Sequence, residues 1–204
     1  METLSTILQA IIQGLTEFLP VSSSGHLSLF QHFTGKSGEG ALMFSAVLHL
    51  GTLLAVFICF RQTIIELVKE FFVMVKDIFT RNFKWSEMNG YRRMIIMIVI
   101  STACLLPFYI FKDWFTGISE DNSIFAEGLC FLYTAAILYM SDKCAKKNKR
   151  EEDITVKDAV TVGFFQGVAL LPGVSRSGST ITAGLFSGFS RTMAVQYSFI
   201  LGIP

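Results

Sequence analysis

Charge is what this sequence has least of. Only 16% of its 204 residues are Asp, Glu, Lys or Arg, against roughly 25% in a soluble domain, and the formal net charge is +1. No basic patch interleaved with aromatics is present, so the composition gives no reason to invoke nucleic acid. Cys59, Cys104, Cys130 and Cys144 show neither CxxC nor metal-ligand spacing, and free reduced thiols are the plain reading. The N-terminus lacks the basic region and small-residue cleavage site of a signal peptide, so the first apolar segment is expected to stay in the mature protein. What remains is oily: 51% hydrophobic residues, 20 Phe and a mean hydropathy of +0.53. The expected class is an all-α integral membrane protein.

The apolar stretches differ in length. Leu4 to Leu19 is crossed by Gln9, Gln13 and Glu17, which share one helical face at i, i+4, i+8. Pro20 and the run Val21 to Gly25 stop it, short of the roughly 20 apolar residues a span needs. A second short stretch, His26 to Phe33, follows. Two half-length helices about a Ser/Gly turn describe a re-entrant hairpin, tolerable in a membrane only where protein or a wet cavity satisfies the backbone. Ala41 to Phe60 reads as a span, and Ile64 to Phe79, charged on one side, as a surface or span-extending helix. Met94 to Phe111, with Pro107 inside it, and Ile124 to Met140 read as further spans. Ala159 to Leu171 and Ile181 to Phe189 repeat the hairpin, and Met193 to Pro204 begins another span.

Between the last two half-helices lies PGVSRSGST, Pro172 to Thr180. An arginine within a membrane costs about 2.5–3.5 kcal/mol on insertion scales, so Arg176 marks a site that needs an anionic partner. The stretch has an echo. A shift of 153 residues pairs Gln13-Gly14 with Gln166-Gly167, Val21-Ser22 with Val174-Ser175, and Ser24-Gly25 with Ser177-Gly178. We read an internal duplication: repeat 1 over about 1–141, a linker over 142–155 and a partial repeat 2 over 156–204. Arg61 to Arg93 holds seven Lys/Arg and Asp142 to Asp158 six, against Lys112 alone in Lys112 to Ser123. By the positive-inside rule the first two are cytoplasmic and the third is outside. The hairpins then enter from opposite faces, giving inverted-topology repeats that meet near the midplane.

Each hairpin would aim a helix N-terminus at its Ser/Gly turn, where dipole and free N–H groups favour an anion. Arg176 adds a fork for phosphate oxygens. Glu17 would repel a phosphate unless a divalent cation, Mg²⁺ or Ca²⁺, lay between them. His26, directly after the first turn, is placed for proton transfer or attack. Phosphoryl transfer or hydrolysis on an amphipathic substrate follows. Plainer readings stand beside these. Glu17 and Arg176 can form a structural ion pair, and Ser and Gly can serve close packing. His49, amid apolar neighbours, reads as a hydrogen-bonded bundle residue rather than a ligand. His32 reads as a rim residue, Gln13 as a ligand or an interhelical amide, and Arg191 as a cytoplasmic boundary residue.

QGLTEFLPVSSSGH, Gln13 to His26, and PGVSRSGST, Pro172 to Thr180, resemble the two signature regions of the bacterial undecaprenyl-diphosphate phosphatases, the bacitracin-resistance family. The resemblance covers essentially the whole chain. It implies a multi-pass enzyme of the bacterial plasma (inner) membrane, its active site open to the outer, periplasmic face. Such an enzyme removes the terminal phosphate of the C55 isoprenyl diphosphate and so recycles the lipid carrier for peptidoglycan synthesis; bacitracin resistance goes with that activity. The resemblance makes Glu17, His26, Ser23, Ser175, Arg176 and Thr180 the catalytic set. Gln13, Ser22, Ser24, Gly25, Gly173, Ser177 and Gly178 become substrate-binding residues, and Glu17 also becomes the ligand of a divalent cation. Gln13 is the Gln variant of the family's (E/Q)xxxE motif, so it brings no second carboxylate. Whether a serine or the histidine attacks stays open. The implied partners are the prenyl diphosphate lipid and the bilayer, with room for a homodimer.

The second repeat breaks off at Pro204 where the first continues, so a C-terminally shortened chain, weakly active or inactive by itself, is expected. The phosphatidic-acid phosphatase type is rejected, because its SRxxxxxHxxxD motif would need a histidine where Thr182 stands and no histidine follows His49. A polyprenyl-phosphate transporter or flippase is the alternative, since broken-helix inverted repeats are typical of transporters. A carrier, however, needs no acid/base pair beside its phosphate.

Overall fold

The computed structural model describes residues 2–35, 39–85, 88–110, 124–144, 148–171 and 173–203. Within them the chain is helical, with one isolated bridge between Lys149 and Phe189. The helices are α1 (Glu2–Phe18), α2 (Ser23–Thr34), α3 (Glu39–Cys59), α4 (Arg61–Phe79), α5 (Gly90–Ala103) and α6 (Leu106–Tyr109). They continue with α7 (Ile124–Cys144), α8 (Val156–Val168), α9 (Arg176–Phe186) and α10 (Arg191–Leu201). The loop Lys112 to Ser123, Phe111 and Pro172 lie outside the described residues.

Side-chain caps set five of the ten starts. Asn89 accepts the Arg92 amide before α5, and Thr155 and Asp158 form a reciprocal capping box at α8. Ser190 accepts the Met193 amide before α10. Each satisfies a donor that a helix N-terminus leaves unpaired. The helices of each pair, α1 with α2 and α8 with α9, pack against each other across their turns, but the second arms begin earlier than the apolar pattern indicates. The second arm of the latter hairpin starts at Arg176 rather than Ile181, because Ser175 caps it. Its polar residues therefore occupy the first turns of a helix instead of a loop. The expected span Met94 to Phe111 is interrupted at Cys104 and Leu105, just before Pro107, which opens the short α6.

α9 is the packing centre, lying against α8, α10 and α7, while α5 packs on α8. The core gathers there: Met94 and Met97 from α5, Ala159 and Val162 from α8, Ile181 and Ala183 from α9, Met193 and Tyr197 from α10. Inside it, Ser101 Oγ donates to the Ala159 carbonyl at 2.8 Å and pairs with the Tyr197 hydroxyl at 2.9 Å. The outward faces of α1, α3 and α4 are covered in large apolar residues, including Leu4, Ile11, Leu15, Leu50, Leu54, Phe72 and Phe79. Gly90–Tyr109 is long and apolar enough to cross a bilayer. α3 and α4 pass the same test together but bend by 80° where they meet. Arg92 ties α4 to α5 through Glu70 at 3.3 Å and Asp77 at 2.9 Å.

Candidate active site

The polar stripe of α1 turns inward, as its periodicity requires. Gln9 and Gln13 are buried, and Gln31 of α2 donates to Gln9 Oε1 at 3.2 Å. One turn on, Glu17 is 15% exposed. Its Oε2 accepts from Gln13 Nε2 at 2.9 Å and from Ser23 Oγ at 2.5 Å. Its Oε1 lies 3.5 Å from Arg176 Nη2, which comes from the other hairpin. Arg176 Nη1 donates to the Gly202 carbonyl at 3.2 Å, so the guanidinium is held between the end of α10 and the carboxylate.

The two turns are built alike. Ser22 Oγ accepts the Gly25 amide at 3.3 Å and lies 3.4 Å from Ser24 Oγ. Ser175 Oγ accepts the Gly178 amide at 3.0 Å and lies 3.3 Å from Ser177 Oγ. These are the residues that the 153-residue shift pairs. The turns also touch: a Cβ on Gly178 would stand 2.9 Å from the Pro20 carbonyl oxygen, closer than real Cβ atoms come. Gly173 has φ +87°, a conformation L side chains rarely adopt.

A cleft of about 400 Å³ opens between the turns. Its polar end carries Glu17, Ser22, Ser23, Ser24, Ser175, Arg176 and Ser177. Its apolar wall is Leu50, Leu53 and Val56 of α3 with Val174 and Phe199. Phe199 in turn rests against Phe18 and Phe60, with ring centroids 5.7 and 6.0 Å away. The N-termini of α2 and α9 both end at the polar side, so their dipoles and an arginine meet a single carboxylate. That arrangement suits an anion with an apolar tail.

Not every expected residue reaches this cleft. Gln13 stands behind Glu17, with its Oε1 buried and unpartnered. Gly25, Gly173 and Gly178 shape the turns from outside the lining. His26 is also outside it: its Nδ1 donates to the Ser22 carbonyl at 2.8 Å and its ring packs edge-on against Phe131. Thr180 is buried; it donates to the Arg176 carbonyl at 2.9 Å and shares a 2.6 Å contact with Ser198 Oγ. Conversely, His49 lines the cleft, with Nε2 3.5 Å from Glu17 Oε2. Its apolar neighbours hid it. The signal was present, however, because Ser45, His49 and Thr52 fall at i, i+4, i+7 on an otherwise apolar helix.

The family profile described as "Bacitracin resistance protein BacA" matches residues 6–204 of this chain. The chain belongs to the BacA family. It is 42% identical over 209 residues to an undecaprenyl-diphosphatase of Alkaliphilus metalliredigens, covering all of this chain and 74% of that protein. It is 39% identical over 204 residues to undecaprenyl-diphosphatase 3 of Bacillus cereus, covering 71% of it. An undecaprenyl-diphosphatase of Methanosphaera stadtmanae is 39% identical over 210 residues, 74% of that protein being covered. Membership of the BacA family spans both hairpins, so the cleft between their turns lies wholly within the matched region.

Proposed function

We propose that this chain is an undecaprenyl-diphosphate phosphatase, a hydrolase of a phosphoric anhydride whose products are the prenyl monophosphate and inorganic phosphate. One observation carries the reading. Serines capping two different hairpins, Glu17 and Arg176 line one cleft whose other wall is apolar. The diphosphate sits at the polar end on the N–H groups of α2 and α9, clamped by Arg176. Ser23 and Glu17 flank the phosphate to be removed, and the first isoprene units lie against Leu50, Leu53 and Phe199. Thr180 acts by holding α9 to α10 through Ser198, and His26 by fixing the first turn through the Ser22 carbonyl. Family membership favours hydrolysis over the carrier alternative.

A divalent cation fits the donor set. Among the described residues no three of His, Cys, Asp and Glu gather, so these residues alone make no closed cage. Glu17, which lines the cleft, would hold Mg²⁺ or Ca²⁺ together with diphosphate oxygens, a sharing that suits hard cations near phosphate. When bound, the ion would neutralise phosphate charge and polarise the reacting group.

The apolar outer faces of α1, α3 and α4 support a bilayer as the surrounding medium. The recurrence of one capping pattern at a shift of 153 residues supports two repeats about the cleft, and the loop charges, by the positive-inside rule, support their inverted insertion with the site open to the outer face of the plasma membrane. Purified protein carried to the length of the curated relatives, of which this chain covers 71–74%, should release inorganic phosphate from undecaprenyl diphosphate with Mg²⁺. Well-folded protein that binds the lipid and releases none would contradict the reading.

A further inference from the structure

Of the residues that line the cleft, Glu17 and Arg176 carry opposite charges, and His49 can add only positive charge. The lining therefore offers a divalent cation no surplus of negative charge. Glu17 is also short of open oxygen. Its Oε2 accepts from Gln13 and from Ser23, which fills both acceptor positions of that atom. The open atom is Oε1, and Arg176 Nη2 stands 3.5 Å from it. A cation arriving alone has to take Oε1 against a guanidinium. A diphosphate arriving alone has to take the guanidinium against a carboxylate. Arg176 is 44% exposed, and its other nitrogen is tied to the Gly202 carbonyl at 3.2 Å, so Nη2 can change partners without the side chain leaving the cleft.

We propose that the Glu17–Arg176 pair admits a divalent cation and the prenyl diphosphate together and neither alone, so the species this cleft binds is the cation–diphosphate complex. The inference rests on the phosphatase reading and names the charged form of its substrate. When both arrive, Arg176 turns its fork from Glu17 to phosphate oxygens. Glu17 Oε1 is thereby released to a cation whose other protein ligands are scarce, since no three of His, Cys, Asp and Glu gather among the described residues. Hard cations take about six or more oxygens, so the diphosphate has to supply several of them. Each ion removes the charge that opposes the other. Such coupling is reciprocal: the factor by which the cation tightens the diphosphate is the factor by which the diphosphate tightens the cation. A pair that serves only to join the hairpins produces no such linkage.

The test is titration calorimetry in detergent, on protein carried to the length of the curated relatives. Mg²⁺ and a short-chain prenyl methylenediphosphonate, which cannot be hydrolysed, are titrated alone and in each other's presence into wild type, Arg176→Ala and Glu17→Gln. The complex that the two ligands form in solution is common to all three proteins and cancels in the comparison. In wild type each ligand is expected to lower the Kd of the other about 100-fold, towards the upper end for coupled sites. Arg176→Ala, with Oε1 uncovered, should bind Mg²⁺ alone about tenfold more tightly than wild type, as expected when a neighbouring like charge is removed. Glu17→Gln, which keeps an acceptor for Ser23, should bind the diphosphonate alone about tenfold more tightly and lose the Mg²⁺ effect, for the same reason. Mg²⁺ binding to wild type alone as tightly as to Arg176→Ala would overturn the proposal. So would a diphosphonate affinity that Mg²⁺ leaves unchanged, or the full Mg²⁺ effect in Glu17→Gln. Phosphate release from undecaprenyl diphosphate is measured on the same wild-type protein. Coupled binding without release leaves the role of the pair standing and removes the phosphatase reading; release with independent binding does the reverse.

Discussion

Arg176 and Glu17 face each other at 3.5 Å although they belong to different hairpins. The sequence allows a plain ion pair here, but the arginine lines the cleft, is 44% exposed and uses its other nitrogen on Gly202. A fork can serve two partners at once, whereas lysine is a single point charge. Arg176→Lys is therefore expected to cut kcat/KM about 10- to 100-fold, one bidentate interaction's worth, with little change in thermal stability. Equal losses of stability and activity would make the arginine structural.

Gly178 lies where the two turns abut. Alanine there would bring its Cβ to 2.9 Å from the Pro20 carbonyl oxygen and 3.0 Å from Ser175 Cβ. Neither is a flexible chain end. Overpacking of this kind costs about 1–3 kcal/mol, and the strain falls on the gap between the hairpins, so melting temperature and phosphate release should drop together. Gly51→Ala is the control, since nothing lies within 4 Å of its would-be Cβ. It should leave both unchanged.

Ser175 caps α9 and lines the cleft, and two substitutions separate these roles. Ser175→Ala loses the cap, about 1 kcal/mol, and weakens activity moderately. Ser175→Asp keeps an acceptor for the Gly178 amide but sets a negative charge at the phosphate seat. Stability close to wild type with phosphate release reduced by about 100-fold or more is expected, since an unpaired like charge is costly in a site of low dielectric. An aspartate variant with normal turnover would show that the phosphate does not sit there.

Thr180 is joined to Ser198 at 2.6 Å and is buried. Thr180→Val strands the Ser198 hydroxyl, at a cost of about 1–3 kcal/mol. Adding Ser198→Ala should recover stability and activity together, as measured by a double-mutant cycle in denaturation and phosphate release. Activity that stays lost in a restabilised double variant would make Thr180 a substrate contact instead.

Much of this was legible in the sequence, because intramembrane polar residues are scarce enough to stand out. Gln9, Gln13 and Glu17 revealed their shared face through helical spacing, and the serine turns revealed themselves through the 153-residue echo. The start of α9 was less legible, since serine and arginine break an apolar pattern yet make a good cap and first turn. The family resemblance places Thr180 in the catalytic set, as the last residue of PGVSRSGST. The helix turns it instead toward Ser198 on α10. His49 was obscured by apolar neighbours, and only the packing of α3 against α1 puts it beside Glu17.

The proposed hydrolysis of a prenyl diphosphate takes place in one cleft made by both hairpins. Its most direct test is inorganic phosphate release from undecaprenyl diphosphate by wild type, Glu17→Ala and Arg176→Ala, each carried to the length of the curated relatives, with Mg²⁺ and beside the folded fraction of each. Release by wild type and losses of about 100-fold or more in both folded variants are expected, the scale of removing a group that stabilises transition-state charge. Release persisting in either variant at the wild-type rate would contradict it.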